Sequence, residues 1–123
     1  MPFRGAMHHA SMISKDLVEA SSRPLVLSIL EEGENYGYSI IQRVKELSDD
    51  RLNWTDGMLY PVLHRLEREG LVTSEWQTPE KGRRRKYYRL NDSGRTALKS
   101  EQEQWLQVHN TLNKLWNPRL SLT

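Results

Sequence analysis

Cysteine is absent from this chain, which excludes disulfides, thiolate metal sites and cysteine nucleophiles. Long apolar runs are absent as well. No stretch approaches the roughly 20 residues needed to span a bilayer, and no segment has the make-up of a signal peptide. A cytoplasmic location without membrane association is therefore expected. There is no Gly-rich phosphate loop. Ser93 and Gly94 sit in "NDSGR", a helix start rather than the GxSxG turn that presents a nucleophile. His64 and His109 lie far apart in sequence, and the adjacent His8 and His9 would point in different directions without the further ligands a metal needs. Catalytic residues, bound metal and cofactor are all expected to be lacking.

Acidic residues are missing from one place in particular. The stretch "KGRRRKYYRL", residues 81–90, holds six of the 18 Lys and Arg residues, while all 16 acids lie outside it. The remainder of the chain is left at a formal −4, so a slightly acidic body carries one concentrated basic finger. That split bears on partners more than the overall +2 does. The 123 residues suffice for one domain, and 37% hydrophobic with 28% charged residues suits a globular body with ample surface. No internal repeat or low-complexity segment is evident.

Periodicity orders the rest. Residues 1–13 show no sustained pattern and read as a tail. From Ser14 to Glu32 the apolar spacing predicts a helix ended by Gly33, with a kink or restart near Ser21 and Ser22 because Pro24 interrupts it. A second helix fits Tyr38 to Ser48, with Ile40, Ile41, Val44 and Leu47 in one stripe, and Asp49 and Asp50 mark a turn. The third helix opens with Thr55 as N-cap and Asp56 in its first turn. It buries Leu59, Val62, Leu63 and Leu66 and stops at Gly70. Pro61 removes a donor inside it, so irregular first turns are expected. Its opposite face carries Tyr60, Pro61, His64, Arg65 and Arg68. LVTSEW (71–76) and KYYRL (86–90) then read as a hairpin, with Pro79 and Gly82 in the loop. Tyr87 and Tyr88 point to opposite faces of their strand, one of them into the core. Asn91 or Asp92 caps a last helix that runs to about Trp116 and is stopped by Pro118. Along it Leu98, Trp105 and Leu112 recur every seven residues, with Val108 and Leu115 interleaved. This is a short coiled-coil seam weakened by Glu101.

Helix, helix, helix, hairpin, helix is the order of a mainly α (α+β) winged helix-turn-helix with a long C-terminal dimerisation helix. In such a domain the third helix enters the DNA major groove and the hairpin wing lies along the backbone or minor groove. Lys and Arg on a wing neutralise phosphates and release counterions. The boundaries expected are a tail at 1–13, the winged-helix domain at 14–90, the dimerisation helix at 91–117 and a tail at 118–123.

The segments "GYSIIQRVKEL", "MLYPVLHRLEREGLV" and "GRRRKYYRLNDSGRTAL" resemble the winged-helix core of PadR-family transcriptional regulators, over about Ser14 to Trp116. A single helix after the wing is similar to the smaller subgroup that includes LmrR-like multidrug-sensing repressors. The resemblance implies a homodimeric repressor that binds an inverted repeat in double-stranded DNA and is modulated by a small molecule. DNA contacts are then expected from Thr55, Tyr60, Pro61, His64, Arg65 and Arg68, and in the wing from Lys81, Arg83, Arg84, Arg85, Lys86 and Tyr88. The dimer interface is expected at Leu98, Trp105, Val108, Leu112 and Leu115. In the resembling subgroup a tryptophan at the place of Trp105 pairs with its mate and sandwiches planar aromatic ligands. By position, Ala20, Arg23, Pro24, Leu27, Leu98, Gln102, Val108 and His109 would surround such a cavity with Trp105. Arg23, Gln102 and His109 make a neutral or anionic aromatic ligand as plausible as a cationic one. Two rival readings remain open: a small-molecule binding protein built on Trp105, and a winged-helix adaptor that has lost specific DNA binding.

Overall fold

The structure, a computed structural model, describes residues 13–79 and 81–117. Most of the expected tails, with His8, His9 and Pro118, lies outside the described residues. Helix α1 (Lys15–Glu31) is capped by the Ser14 hydroxyl, which accepts from the Leu17 amide at 3.3 Å. The expected restart near Ser21 and Ser22 does not occur, and one helix runs through Pro24. A proline inside a helix costs about 3 kcal/mol. Directly after it Val26, Leu27, Ile29 and Leu30 are all buried, each contributing about 1.5–3 kcal/mol. Burial wins, and the Ala20 carbonyl that Pro24 leaves without its helical donor belongs to an exposed residue.

A two-residue strand, β1 (Asn35–Tyr36), leads into α2 (Gly37–Leu47). Ile40 and Val44 of α2 are buried, but Leu47 is exposed, so the expected stripe ends one turn early. Asp49 and Asp50 both take positive φ (54° and 66°), which makes the turn expected there. Helix α3 (Asp56–Arg68) starts as its sequence predicts, with the Thr55 hydroxyl accepting from the Met58 amide. Leu59, Leu63 and Leu66 are buried and Pro61 sits in an unbroken helix. Gly70 (φ 75°) closes it in a Schellman turn, its amide reaching the Glu67 carbonyl while the Leu71 amide reaches Leu66.

Strands β2 (Val72–Gln77) and β3 (Arg85–Leu90) form the hairpin, and β1 pairs with the other edge of β3. The sheet is thus three-stranded and antiparallel, in the order β1-β3-β2. Helix α4 (Asp92–Trp116) follows with Asn91 as its cap. Asn91 ties three parts together: its Oδ1 accepts from the Gly94 amide, its Nδ2 donates to the Gly70 carbonyl and its own amide donates to Leu71. A side chain at Gly94 would collide with the Leu71 carbonyl and Leu90, so glycine is what lets α4 leave the sheet this closely. The product is a mainly helical winged helix-turn-helix with a small antiparallel wing sheet and a long C-terminal helix. Among the described residues no helix is long and apolar enough to cross a membrane.

Of the two wing tyrosines, Tyr88 is the core member. It is fully buried with Leu59, Leu63 and Leu66, its hydroxyl lacking a hydrogen-bond partner among the described residues. Burial pushes the Tyr88 phenol up to about 12. An unfolded chain would release this proton near pH 10, so the stability tied to Tyr88 is complete below that pH and is lost as pH rises toward 12. Tyr88→Phe removes both the orphan hydroxyl and this loss. The variant is expected to match or exceed the wild type by about 1 kcal/mol near neutrality. It is also expected to lose less of its urea midpoint between about pH 8 and pH 11.5.

Candidate nucleic-acid interface

The face between α3 and the wing is built from three local decisions. Gly37, buried at the start of α2, lacks the Cβ that would strike the Tyr60 ring, so α2 and α3 close on each other there. Tyr60 is consequently half-buried and packs against the core rather than standing free on the outer face of α3. Burial, with Asp56 nearby, raises its phenol above the usual range. His64, one turn on, is exposed, its ring centroid 6.1 Å from that of Tyr60. On the far side the hairpin register sets the wing. Trp76 stands opposite Lys86 and Gln77 opposite Arg85, while Tyr36 of β1 stands opposite Tyr87.

The result is a groove of about 850 Å³ between the start of α2, α3 and the wing. It brings together Tyr60, His64, Arg83, Arg84, Arg85 and Lys86 from the expected set, with Tyr88 in its floor. Thr55, Pro61, Arg65, Arg68 and Lys81 are exposed but do not line it, and Arg65 and Arg68 lie close enough to Glu69 to act on its carboxyl. Tyr88 is withdrawn as a DNA contact, because a side chain at 0% exposure has no surface to offer a phosphate. Sequence reasoning missed Tyr36, Tyr38 and Trp76, which complete the lining. Tyr38 was legible in principle, since it precedes the Ile40–Val44 stripe on the other side of α2.

Among the described residues no carboxylate pairs with the basic side chains of the groove. Among the described residues the arginines in carboxylate pairs are Arg23, Arg43 and Arg95. Lys81, Arg83, Arg84, Arg85 and Lys86 have no such partner there, so their donors face solvent and any polyanion in it.

Away from this face, α1 and α4 border an open, mostly apolar depression of about 550 Å³ that Trp105 helps to line. Pro24 and Gln102 line it as expected, joined by Ser21, Leu25, Ser28, Leu52 and Leu106, which the sequence did not single out. Leu27 and Leu98 are at 0% and 1% exposure in the protomer's own core. They do not line this pocket, and Leu98 has almost no surface left to offer a second chain. Ala20, Val108 and His109 are exposed elsewhere, with His109 meeting the Asn113 amide at 2.9 Å. Arg23 turns away from the pocket. Its guanidinium forks onto Glu69 at the end of α3 (2.7 and 3.1 Å) and its Nε donates to Glu101 of α4. Arg23 holds the Glu69 carboxyl below the usual carboxylate range. Glu101 therefore does not weaken a seam; it faces its own domain. Among the described residues no group of three His, Asp or Glu side chains is placed to hold a metal.

A three-helix core, a cationic wing beside the third helix and a long exposed last helix together define a winged-helix DNA-binding regulator. The model of the transcriptional regulator PadR-like family matches residues 26–100, and the chain belongs to that family. It is a family of transcriptional regulators, not of enzymes, and membership carries DNA binding with it. The transcriptional regulator Rv3488 of Mycobacterium tuberculosis is 37% identical over 84 residues, covering 68% of this chain and 75% of its own. A transcriptional regulator from Clostridium thermocellum superposes with a TM-score of 0.75 at 30% identity, covering 83% of this chain and 96% of its own. A PadR family transcriptional regulator from Eggerthella lenta does so with 0.69 at 35% identity, over 83% and 87%.

Proposed function

We propose that this protein is a homodimeric, ligand-responsive repressor that grips an inverted-repeat operator through α3 and the wing. The observation that carries the DNA-binding assignment to particular residues is the groove itself, where four consecutive basic residues, Arg83 to Lys86, line one wall and α3 the other. Tyr60 and His64 would present α3 to base edges or backbone, with Thr55, Pro61, Arg65 and Arg68 flanking them. The wing cations, Lys81 included, would meet phosphates. Residues 14–90 would then be the DNA-binding unit and 91–117 the dimerisation helix.

Support for the ligand response is chemical. The Trp105 pocket is lined by leucines, a proline, two serines and Gln102, and Arg23 is occupied by two glutamates. A lining without charge suits a flat neutral aromatic compound stacked on the indole. A multidrug-sensing role, which the sequence resemblance to the LmrR-like subgroup implies, is part of the proposal.

The test is fluorescence anisotropy with a duplex from upstream of the protein's own gene against a scrambled duplex, at two salt concentrations. Tight binding to the first alone is expected, falling with a log–log slope of about −0.9 per neutralised phosphate. Equal, weak binding to both would overturn the repressor reading and return the small-molecule alternative to the front.

A further inference from the structure

Trp76 is the oddest residue on the wing: a large apolar ring left 55% exposed on an edge strand. Its position is explained by what lies over it. The Arg84 guanidinium carbon is 4.8 Å from the indole centroid, and the Arg85 guanidinium carbon is 4.4 Å from the Tyr36 ring. Register makes this systematic. Trp76 faces Lys86, so Arg84, the residue just before β3, comes at the diagonal position beside it. Tyr36 faces Tyr87, so Arg85 is its diagonal neighbour on the other face of the sheet. Tyr36 is itself braced edge-on by Tyr87, with centroids 5.2 Å apart.

We infer that Trp76 and Tyr36 are positioning residues that hold Arg84 and Arg85 ready for phosphate without spending their charge. A guanidinium has two faces and an edge. Stacking on a ring occupies a face, whereas all five N–H donors lie in the plane and point outward at the edge. A carboxylate would also fix the side chain, but it would take those donors and cancel the charge. The protein uses carboxylates for Arg23, Arg43 and Arg95, which tie parts of the body together, and rings for the two wing arginines. The ring removes conformational freedom that Arg84 would otherwise lose only on meeting DNA. This inference rests on the proposed wing contacts and adds the residues that make them effective.

The experiment is duplex anisotropy with Trp76→Ala, Trp76→Leu, Trp76→Phe, Arg84→Ala and the Trp76→Ala/Arg84→Ala pair, each checked for an unchanged thermal midpoint. Trp76→Ala and Trp76→Leu are expected to weaken binding about fivefold with the salt slope unchanged, since no phosphate contact is deleted. Phenylalanine, which keeps a π face, is expected to restore most of the affinity. In the Arg84→Ala background the tryptophan substitution is expected to add nothing. If Arg84→Ala weakens binding but Trp76→Ala does not, positioning is refuted and the wing contacts stand. Full activity of Trp76→Leu would likewise refute it, as would an undiminished Trp76 effect without Arg84. Wild-type affinity and slope in Arg84→Ala would instead bring down the wing reading on which the inference depends.

Discussion

Replacing Arg84 and Arg85 together with alanine is expected to weaken operator binding about a hundredfold and to flatten its salt dependence. Both side chains are exposed, line the groove, and have no carboxylate partner among the described residues. An exposed ion contact is worth about 0.7 kcal/mol, within the measured range for surface pairs. The proposed symmetric dimer would lose four such contacts, about 3 kcal/mol in all, which is roughly two decades in Kd. The log–log salt slope should become shallower by about 3.6, because each phosphate released from neutralisation removes about 0.9. Stability should hardly move, since neither residue supports the core. Arg43→Ala is the matched control: that arginine is spent on Glu32 and Glu46 at 2.8 Å, and its loss should leave the slope alone. Anisotropy titrations at three or more salt concentrations read both quantities. An unchanged slope in the double variant would remove the wing from the phosphate contacts, whatever happened to the affinity.

The elements that the sequence made legible are those whose signals are local. The Thr55 cap, the Leu59–Leu63–Leu66 stripe and Gly70 are local to one helix and its end and appear as expected, with Val62 of the expected stripe only partly buried. The hairpin and the Asn91-capped last helix were legible for the same reason. Strand β1 was not, because two residues are too short for any alternation to register. Pro24 does not restart the helix, because propensity is local while the burial of Val26 to Leu30 that overrides it is not. Alternation put Tyr87 and Tyr88 on opposite faces but could not say which face was the core; that depends on how the sheet lies on α3.

The candidate site divides along the same line. The basic run was visible as composition, and its neighbours in the groove follow from element order. Partners brought in from afar were invisible: Arg23 meets Glu69 46 residues away and Glu101 78 residues away. Those pairs decide that Arg23 is not a pocket residue and that Glu101 is not a flaw in the seam. Nor can a heptad pattern tell a helix face that covers its own domain from one that awaits another chain. Leu98 belongs to the first kind. Trp105, 39% exposed, and Leu115, 75% exposed, are left open by their own domain, as the proposed dimer requires.

That distinction directs the other large effect. Val108→Glu/Leu115→Glu is expected to convert the protein to a monomer and to weaken operator binding by two to three orders of magnitude. Helix α4 has 25 residues, about 37 Å at 1.5 Å each. Its first part packs on the body through Gly94, Leu98 and Glu101. Beyond Glu101, Trp105, Leu106, Val108, Leu115 and Trp116 are all exposed. A stretch of about 15 residues is marginal as an isolated helix in water, and its apolar positions 105, 108, 112 and 115 repeat at three- and four-residue steps, the spacing of a two-helix seam. In the proposed dimer a second copy of the same helix would satisfy both facts and set two winged heads apart to meet successive half-sites. Glutamates at two seam positions would place four like charges in one apolar contact, which association cannot offset. Once the heads are uncoupled, the second half-site loses its effective concentration, about 10²–10⁴ in apparent affinity. Sedimentation equilibrium reads the mass, and anisotropy on full and half operators reads the coupling: the variant should bind both duplexes alike, at the weak affinity of one head. Both positions lie off the lining of the Trp105 pocket. Dimer mass retained in the variant would place the protomer contact on some other surface and leave the exposed seam without a role.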